Sequence, residues 1–205
     1  MNTESVNPKT SNISNLETPD ILKLINDEDR TVADIVRECI PQISLLVEEG
    51  YKALSNGGRI FYCGAGTSGR LSVADAAELP PTYGTDPEQV KAIIAGGVNA
   101  MLRASEGCED SRERALQAFE ESGCKAGDLV IGVSASGGAP YVRAFMEKAK
   151  EVGCVVGAIV NNENTLMSQI ADITVFLTCQ CLILSIFITE NTQNMLSVLN
   201  RIWCS

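Results

Sequence analysis

The sequence predicts an α/β protein built on a doubly wound, five-stranded parallel sheet flanked by helices, with an N-terminal helical arm. The first observation is a set of five short apolar runs, each followed by glycine or polar residues, which is typical of buried parallel strands. The second is that stretches with helical periodicity lie between these runs. We predict strands at residues 60–63, 90–95, 129–133, 155–160 and 173–177, and helices at residues 68–78, 111–122, 141–152 and 165–170.

Two helices are predicted ahead of the sheet, after a polar arm. Residues 1–18 are rich in Asn, Ser and Thr, so we expect an arm that needs a partner surface to pack on. Thr18 is the predicted N-cap of the first helix, with Pro19 at its first position. Apolar residues at intervals of three and four predict a second helix over residues 31–55, which the following Asn-Gly-Gly ends.

The composition indicates a globular chain that is unsuited to binding nucleic acid. The 205 residues are 45% hydrophobic and include 16 Lys and Arg against 26 Asp and Glu, for a net charge of -10. That apolar content is enough to bury a core, whereas a nucleic-acid surface needs clustered basic side chains that the sequence lacks. No basic segment followed by an apolar one marks a secretory signal, so we expect a cytoplasmic protein. The apolar run near the carboxyl end is shorter than the roughly 20 residues of a membrane span, so no membrane partner is expected.

The absence of histidine restricts the possible chemistry. Ser-His-Asp triads, Cys-His pairs and histidine-bound zinc are excluded, so a general acid or base must be Asp, Glu, Lys, Tyr or Cys. The eight cysteines show no C-x-x-C spacing, which argues against a zinc knuckle or a thioredoxin-type motif. Most of them lie in apolar runs, where a free cysteine behaves as a small hydrophobic residue in a reducing compartment.

Two loops at predicted strand ends combine glycine with hydroxyl side chains. The first strand runs into Gly-Ala-Gly-Thr-Ser-Gly-Arg and the third into Ser-Ala-Ser-Gly-Gly. Such loops let a ligand approach the backbone, and the helix that follows each presents free N–H groups, which suits a phosphate. The candidate binding residues are Gly66, Thr67, Ser68, Gly69, Ser134, Ser136 and Gly137.

Other interpretations of these loops remain open on the residues alone. Gly64, Gly66 and Gly69 match the G-x-G-x-x-G dinucleotide fingerprint, but the second strand ends in Ala-Gly-Gly and offers no acid for a ribose hydroxyl. Both loops could also be ordinary strand-to-helix turns whose Ser and Thr side chains cap helices.

Six segments of the sequence resemble the N-acetylmuramic acid 6-phosphate etherase family, whose members contain the sugar isomerase (SIS) domain. They occur in the family's order over about residues 3–175. The segments are TESVNPKTSNI, LKLINDEDRTV, GRIFYCGAGTSGRLSVADAAELPPTYG, IIAGG, EGCEDSRERA and VIGVSASGGAPYV. The glucokinase regulatory protein, which is related, shares the fold but inhibits a partner enzyme instead of catalysing a reaction. The resemblance implies a SIS-type fold.

The resemblance also implies an activity and the residues that perform it. The family cleaves the D-lactyl ether of N-acetylmuramic acid 6-phosphate during cell-wall sugar recycling, by elimination and then hydration, and needs no metal or other cofactor. By resemblance Glu109 removes the C2 proton of the open-chain sugar and Glu78 protonates the departing lactate. The resemblance further implies a small phosphosugar substrate and a homodimer.

The residues alone favour less specific roles for both glutamates. Glu109 precedes a predicted helix, where an acid is favoured by the helix dipole. Glu78 ends a predicted helix and could simply form an ion pair, although its apolar neighbours predict a buried carboxyl group with a raised pKa. Only the resemblance assigns the two side chains to catalysis.

The likeness to the family stops at about Leu177. There the etherases continue with a Ser-rich and basic segment that opens a long helix, whereas this chain reads Thr-Cys-Gln-Cys and then an apolar run. We expect a frameshift, an unspliced intron, a truncated gene model or a short isoform. The predicted organisation is therefore residues 1–50 for the arm and helices, 51–178 for the SIS domain and 179–205 for a divergent tail. A non-catalytic sugar-phosphate-binding regulator, or an inactive truncated etherase, is the alternative function.

Overall fold

A computed structural model describes residues 7–177 of the chain, and the predicted parallel sheet is confirmed. Its strands follow the order β2-β1-β3-β4-β5, and all four neighbouring pairs are parallel. Each predicted strand matches an observed one to within a residue at either end. The strands are β1 (Ile60–Gly64), β2 (Val90–Ile94), β3 (Leu129–Ser134), β4 (Val155–Val160) and β5 (Ile173–Phe176).

Seven α-helices flank the sheet in the described part of the chain. They are α1 (Thr18–Glu38), α2 (Ile40–Ser55), α3 (Gly66–Tyr83), α4 (Gly97–Leu102), α5 (Arg112–Ser122), α6 (Pro140–Glu151) and α7 (Leu166–Ile170). Short 3-10 turns cover Pro8–Thr10, Ile13–Asn15 and Cys108–Asp110. The 3-10 turns and α4 were not predicted, and α4 starts at Gly97 directly after Gly96, a Gly-Gly pair that typically marks a turn. No helix among residues 7–177 is both long and apolar enough to cross a membrane.

The predicted boundary between the first two helices was wrong. Helix α1 continues through Thr31, and the chain breaks at Cys39, whose N–H bonds the carbonyls of Val36 and Arg37. The break has a local cause, because Pro41 has no N–H to donate to the carbonyl four residues earlier. Thr18 is the first residue of α1 and not its N-cap, which is Glu17.

The described part of the polar arm packs against α1 of the same chain. Asn7 is 4% exposed, and its amide donates to Glu28 at 3.3 Å. The Lys9 ammonium pairs with the same carboxylate at 2.6 Å. Glu28 therefore holds the start of the described chain on the helix. Residues 1–6 of the predicted arm and residues 178–205, which include the predicted tail, lie outside the described residues.

The sheet is covered on both faces by separate apolar clusters. On one face, Leu46 of α2 and Val32 of α1 pack with Tyr62 and Ile131. On the other face, α5, α6 and α7 cover the sheet, and Phe119 meets Phe145 edge-to-face with ring centroids 5.1 Å apart. Helix α2 thus shares a core with the sheet. The division of domains at residues 50 and 178 stays a prediction.

The topology places a crevice at the carboxyl ends of β1 and β3. Strand β1 lies between β2 and β3, so the chain leaves β1 toward one edge of the sheet and leaves β3 toward the other. Ligands bind at such a switch point in open α/β sheets. Because Gly64 pairs in register with Val133, both predicted loops leave the sheet at the same level.

Two glycines bring α3 against the end of β1. A Cβ on Gly64 would lie 2.7 Å from the Gly69 nitrogen, and a Cβ on Gly69 would lie 2.9 Å from the Gly64 carbonyl oxygen. Neither position has room for a side chain. The two glycines therefore allow the first turn of α3 to pack on the backbone of the strand.

The amino ends of the strands are tied together by a buried acid, Asp128. Its carboxylate is fully buried and accepts the N–H groups of Arg59 and Lys125, each at 2.9 Å. The Arg59 guanidinium also pairs with it at 2.9 Å and donates to the Gly123 carbonyl. These bonds join the segments that lead into β1 and β3.

Candidate functional site

The first turn of α3 forms one side of the predicted site. The residue before the helix is Ala65, and no side chain caps the first N–H groups. Thr67 is exposed and Ser68 is half-buried, both inside the first turn of the helix. The interpretation of these two residues as N-caps was therefore wrong. The uncapped N–H groups and the positive end of the helix dipole form a potential anion site.

The loop after β3 is folded by its own hydroxyl groups. The Ser134 hydroxyl accepts the Gly137 N–H at 3.2 Å, and the Ser136 hydroxyl accepts the Gly138 N–H at 3.3 Å. The two hydroxyl oxygens lie 3.4 Å apart. Neither serine caps α6, because the residue before that helix is Ala139. Ser134 is buried and Ser136 is exposed, so only Ser136 presents its side chain to solvent.

Gly137 fixes this loop against the segment before α7. Its φ is +66°, and a Cβ there would overlap the Thr165 side chain. Thr165 has no freedom to retreat, because it is buried and its hydroxyl caps α7 by accepting the Ser168 N–H at 3.0 Å. The Gly137 carbonyl also accepts the Met167 N–H at 3.1 Å. Gly137 is therefore required by the local geometry.

A cavity of about 250 Å³ lies between the start of α3 and the segment that precedes α5. Gly66 and Thr67 line one wall, and Glu109 lines the other. The Arg70 side chain also lines the cavity, but its guanidinium donates to the Ala100 carbonyl at 2.9 Å and to the Arg103 carbonyl at 3.5 Å. Arg70 thus joins α3 to α4 and to the residue that follows it. The complete lining is Ala65, Gly66, Thr67, Arg70, Ala95, Ala104, Ser105, Glu106, Gly107, Cys108 and Glu109.

The structure brings some of the predicted residues together and separates others. Glu109 is exposed and belongs to the 3-10 turn, whereas the first acid of α5 is Glu113. The cavity therefore unites Glu109 with Gly66 and Thr67. Ser68, Gly69 and the loop after β3 border the same edge of the sheet without lining this cavity.

Glu78 does not line this cavity. It is 12 residues beyond Gly66 on α3, and at 1.5 Å per residue this corresponds to roughly 18 Å along the helix. The side chain is exposed, and its carboxylate accepts the Thr82 hydroxyl at 2.8 Å. The expectation that Glu78 is buried was wrong, because Asp75 and Leu79 occupy the sheet-facing side of α3 and Glu78 points away from it.

Asp75 is a buried acid that the sequence analysis did not single out. It is 7% exposed, and its carboxyl group is hydrogen-bonded to the fully buried Tyr62 hydroxyl. The other oxygen, Oδ2, has no partner among the described residues. Burial raises the pKa of Asp75 from 3.8 to about 6, although the bond from Tyr62 opposes this change. The available signal in the sequence was the helical spacing of three or four residues that places Asp75 on the same face of α3 as Gly69, Ser72 and Leu79, which are all buried.

Metal-binding residues are not clustered in the described part of the chain. Within residues 7–177, no group of three His, Cys, Asp or Glu side chains is arranged to hold a metal ion.

Comparison with protein families and sequences identifies relatives of the chain. Residues 42–150 match the family described as the glucokinase regulatory protein N-terminal SIS domain. An N-acetylmuramic acid 6-phosphate etherase of Photorhabdus laumondii is 46% identical over 175 residues, which are 85% of this chain and 58% of that protein. The etherase of Mycolicibacterium smegmatis is 42% identical over 85% of this chain and 59% of that protein. The chain therefore spans less than two thirds of the length of these relatives.

Solved structures share the fold at low sequence identity. A phosphoheptose isomerase from Francisella tularensis superposes with a TM-score of 0.70 at 18% identity, covering 90% of this chain and 96% of that one. The Vibrio vulnificus NanR protein complexed with ManNAc-6P gives a TM-score of 0.58 at 17% identity, covering 89% of this chain and 62% of that one. At these identities the likeness establishes the fold alone.

We expect Gly137→Ala to lower the free energy of unfolding by about 3 kcal/mol. The substitution combines a left-handed backbone, which costs a residue with a Cβ about 1–2 kcal/mol, with overlap against Thr165, which costs about 1–3 kcal/mol. Gly138→Ala is the matched control, because a Cβ at Gly138 meets only the Ser136 hydroxyl, at 3.8 Å. Urea unfolding of both variants provides the measurement. Equal losses in the two variants would contradict the role assigned to Gly137.

We expect Asp75→Asn to alter how stability depends on pH. Since the pKa of Asp75 is raised on folding, its stabilising contribution is complete below pH 3.8 and is lost as the pH rises through about 6. At 1.36 kcal/mol per pKa unit the full contribution is about 3 kcal/mol, and the wild type should lose about 2.4 kcal/mol of it relative to the variant between pH 4 and pH 7, because Asp75 of the unfolded chain is already partly ionised at pH 4.

Urea unfolding across this pH range measures the difference. Asp34→Asn, at an acid that is 76% exposed, controls for the loss of one negative charge. Parallel pH profiles for the wild type and Asp75→Asn would show that the carboxyl group is not perturbed by folding.

Proposed function

The chain belongs to the family of the glucokinase regulatory protein N-terminal SIS domain, its sequence relatives are etherases, and we propose that it cleaves the D-lactyl ether of N-acetylmuramic acid 6-phosphate. The observation that carries the proposal is the cavity that places an exposed carboxylate, Glu109, opposite the uncapped first turn of α3. An anion site and a potential base within one small cavity suit proton abstraction from a phosphorylated sugar.

In the proposed reaction, the phosphate is held by the N–H groups of α3 and by the Thr67 hydroxyl. The open-chain aldehyde makes the C2 proton acidic, and the Glu109 carboxylate removes it. The C2 electron pair then forms a double bond to C3 as the C3–O bond to lactate breaks. Glu78 supplies the proton that the departing lactate oxygen takes up. Addition of water to the unsaturated aldehyde completes formation of N-acetylglucosamine 6-phosphate.

The position of Glu78 requires the proposal to include an oligomeric state. Glu78 is exposed, does not line the cavity, and lies eight residues, or roughly 12 Å along α3, beyond Arg70, the last lining residue of that helix, so we infer that it does not act on a substrate beside Glu109 of the same chain. A homodimer would allow Glu78 of one copy to reach the cavity of the other. We therefore propose a cytoplasmic homodimer that acts in the recycling of cell-wall sugars.

A second function is supported by the family match and by the same geometry. The matched family is a domain of a regulatory protein, and Glu78 does not line the cavity. A chain that binds a sugar phosphate at α3 without converting it would account for both observations. The two functions differ in whether product forms, and not in whether the ligand binds.

We expect the purified 205-residue chain to release D-lactate from N-acetylmuramic acid 6-phosphate, and Glu109→Gln to reduce the rate at least 100-fold, a typical loss for a general base. The amide cannot accept the C2 proton, but it retains the shape of the side chain. Lactate is measured enzymatically, and ligand binding is measured by the shift in melting temperature.

The control is Glu113→Gln, an exposed acid of the same segment outside the cavity lining, which should retain the wild-type rate. A ligand-induced shift with no lactate from the wild type would favour the regulator. If the wild type shows no ligand-induced shift and also releases no lactate, the sugar-phosphate site itself is rejected.

We expect a mixture of Glu78→Gln and Glu109→Gln chains to regain activity that each variant lacks alone. If the two glutamates act across a dimer, each mixed dimer has one intact site out of two. Random exchange of subunits then restores about a quarter of the wild-type rate. Mixed dimers are isolated with two affinity tags and assayed for lactate release.

Inactive mixed dimers would show that both glutamates act within one copy of the chain. A monomeric wild type with full activity would reject the dimeric site directly.

A further inference from the structure

Two free cysteines lie against each other at the amino edge of the sheet. The sulfur atoms of Cys124 and Cys154 are 3.6 Å apart, and the residues are 8% and 6% exposed. Cys124 follows α5, and Cys154 immediately precedes β4. The remaining free cysteines of the described chain are Cys39, Cys63 and Cys108.

The surrounding backbone holds the two thiols together, and its glycines allow the two sulfur atoms to move slightly closer. The Cys154 thiol donates to the Lys125 carbonyl at 3.1 Å, so it is anchored to the segment that carries Cys124. Each cysteine follows a glycine with positive φ, Gly123 at +65° and Gly153 at +93°. A disulfide requires the sulfur atoms to close from 3.6 Å to about 2.05 Å. Movement of this size is within the reach of two loops that carry glycine.

We propose that Cys124 and Cys154 are a modification site, at which hydrogen peroxide converts the two thiols into an intramolecular disulfide. The proposal concerns the amino edge of the sheet and does not depend on the function proposed for the carboxyl edge.

The chemistry balances with hydrogen peroxide as the oxidant. The Cys154 thiolate attacks one peroxide oxygen, the O–O bond breaks, a sulfenic acid forms, and the departing hydroxide takes up the proton that the Cys154 thiol lost and leaves as water. The Cys124 sulfur then attacks the Cys154 sulfur, the S–O bond breaks, and a second water leaves as the disulfide forms. Two thiols are oxidised and one peroxide is reduced to two molecules of water.

The electrostatics favour Cys154 as the attacking sulfur. A hydrogen bond from the Cys124 thiol lowers the pKa of Cys154, and the Arg59 guanidinium acts in the same direction, while burial and Asp128 oppose them. The hydrogen bond with the Cys154 sulfur raises the pKa of Cys124, and burial acts in the same direction. The lower pKa gives Cys154 the larger thiolate fraction, and the thiolate is the reactive form.

The disulfide would close a loop that contains β3, the loop after it and α6. Such a cross-link restricts the unfolded chain and should raise the melting temperature by roughly 5–10 °C. It joins the ends of the strands opposite to the candidate site, so the folded positions of Ser134 and Gly137 should change little.

The test is peptide mapping of the full chain after treatment with hydrogen peroxide. Cleavage after Lys, Arg and Glu places Cys124 in Ser-Gly-Cys-Lys and Cys154 in the peptide of residues 152–163, which contains no other cysteine. We expect these two peptides to be linked, with a mass about 2 Da below their sum, and to separate on reduction with dithiothreitol. The melting temperature should rise on oxidation and return on reduction.

Cys154→Ser should abolish both the linked peptide and the rise in melting temperature. Cys63→Ser is the matched control at another buried thiol and should retain both. The wild-type map decides the question even if a variant folds poorly. Recovery of Cys124 and Cys154 as free thiols, as separate oxidised residues or linked to other cysteines would overturn the proposal.

Discussion

The candidate site depends on the close approach of α3 to the end of β1. Gly64 and Gly69 have no room for side chains, since a Cβ on either would lie within 3 Å of the other residue's backbone. This contact brings the first turn of α3 to the edge of the sheet, where Gly66 and Thr67 face Glu109 across the cavity. Two of the three glycines that match a dinucleotide fingerprint, Gly64 and Gly69, are therefore required by packing, whereas a Cβ on Gly66 would meet no atom and that residue instead has a positive φ of +55°. A helix end placed this way is a potential site for a small anion.

The fold was more predictable from the sequence than the site was. Each of the five strands is a dense apolar run in the sequence, so their positions were predicted to within a residue, although the two edge strands β2 and β5 are mostly half-buried. The join between α1 and α2 was missed because the apolar period continues across it, and only Pro41 marks the break. The exposure of Glu78 could not be inferred from its apolar neighbours, since the side of a helix that meets the sheet is decided by tertiary packing. The burial of Asp75 could not be inferred from the sequence for the same reason.

The electrostatic design of the cavity relies on the backbone more than on basic side chains. The chain has a net charge of -10, and Arg70, the basic residue of the cavity lining, donates to two carbonyl groups of its own chain. The attraction for an anion must then come largely from the N–H groups and dipole of α3. Glu106 and Glu109 in the same lining oppose a ligand that brings its negative charge to their side. The cavity is therefore polarised: the α3 end favours an anion, and the opposite end carries the carboxylates that can accept a proton.

The bonds made by Arg70 also bear on how this scaffold can diversify. The guanidinium braces α3 against carbonyl groups of residues 100 and 103, and a backbone carbonyl is present whatever the side chain at those positions. Residues 103–107 are exposed, and residues 104–107 also line the cavity, so side chains there can change while the contact between α3 and α4 stays intact. Sequence drift along this rim can therefore alter which molecules fit the cavity without loosening the helix that forms its other side.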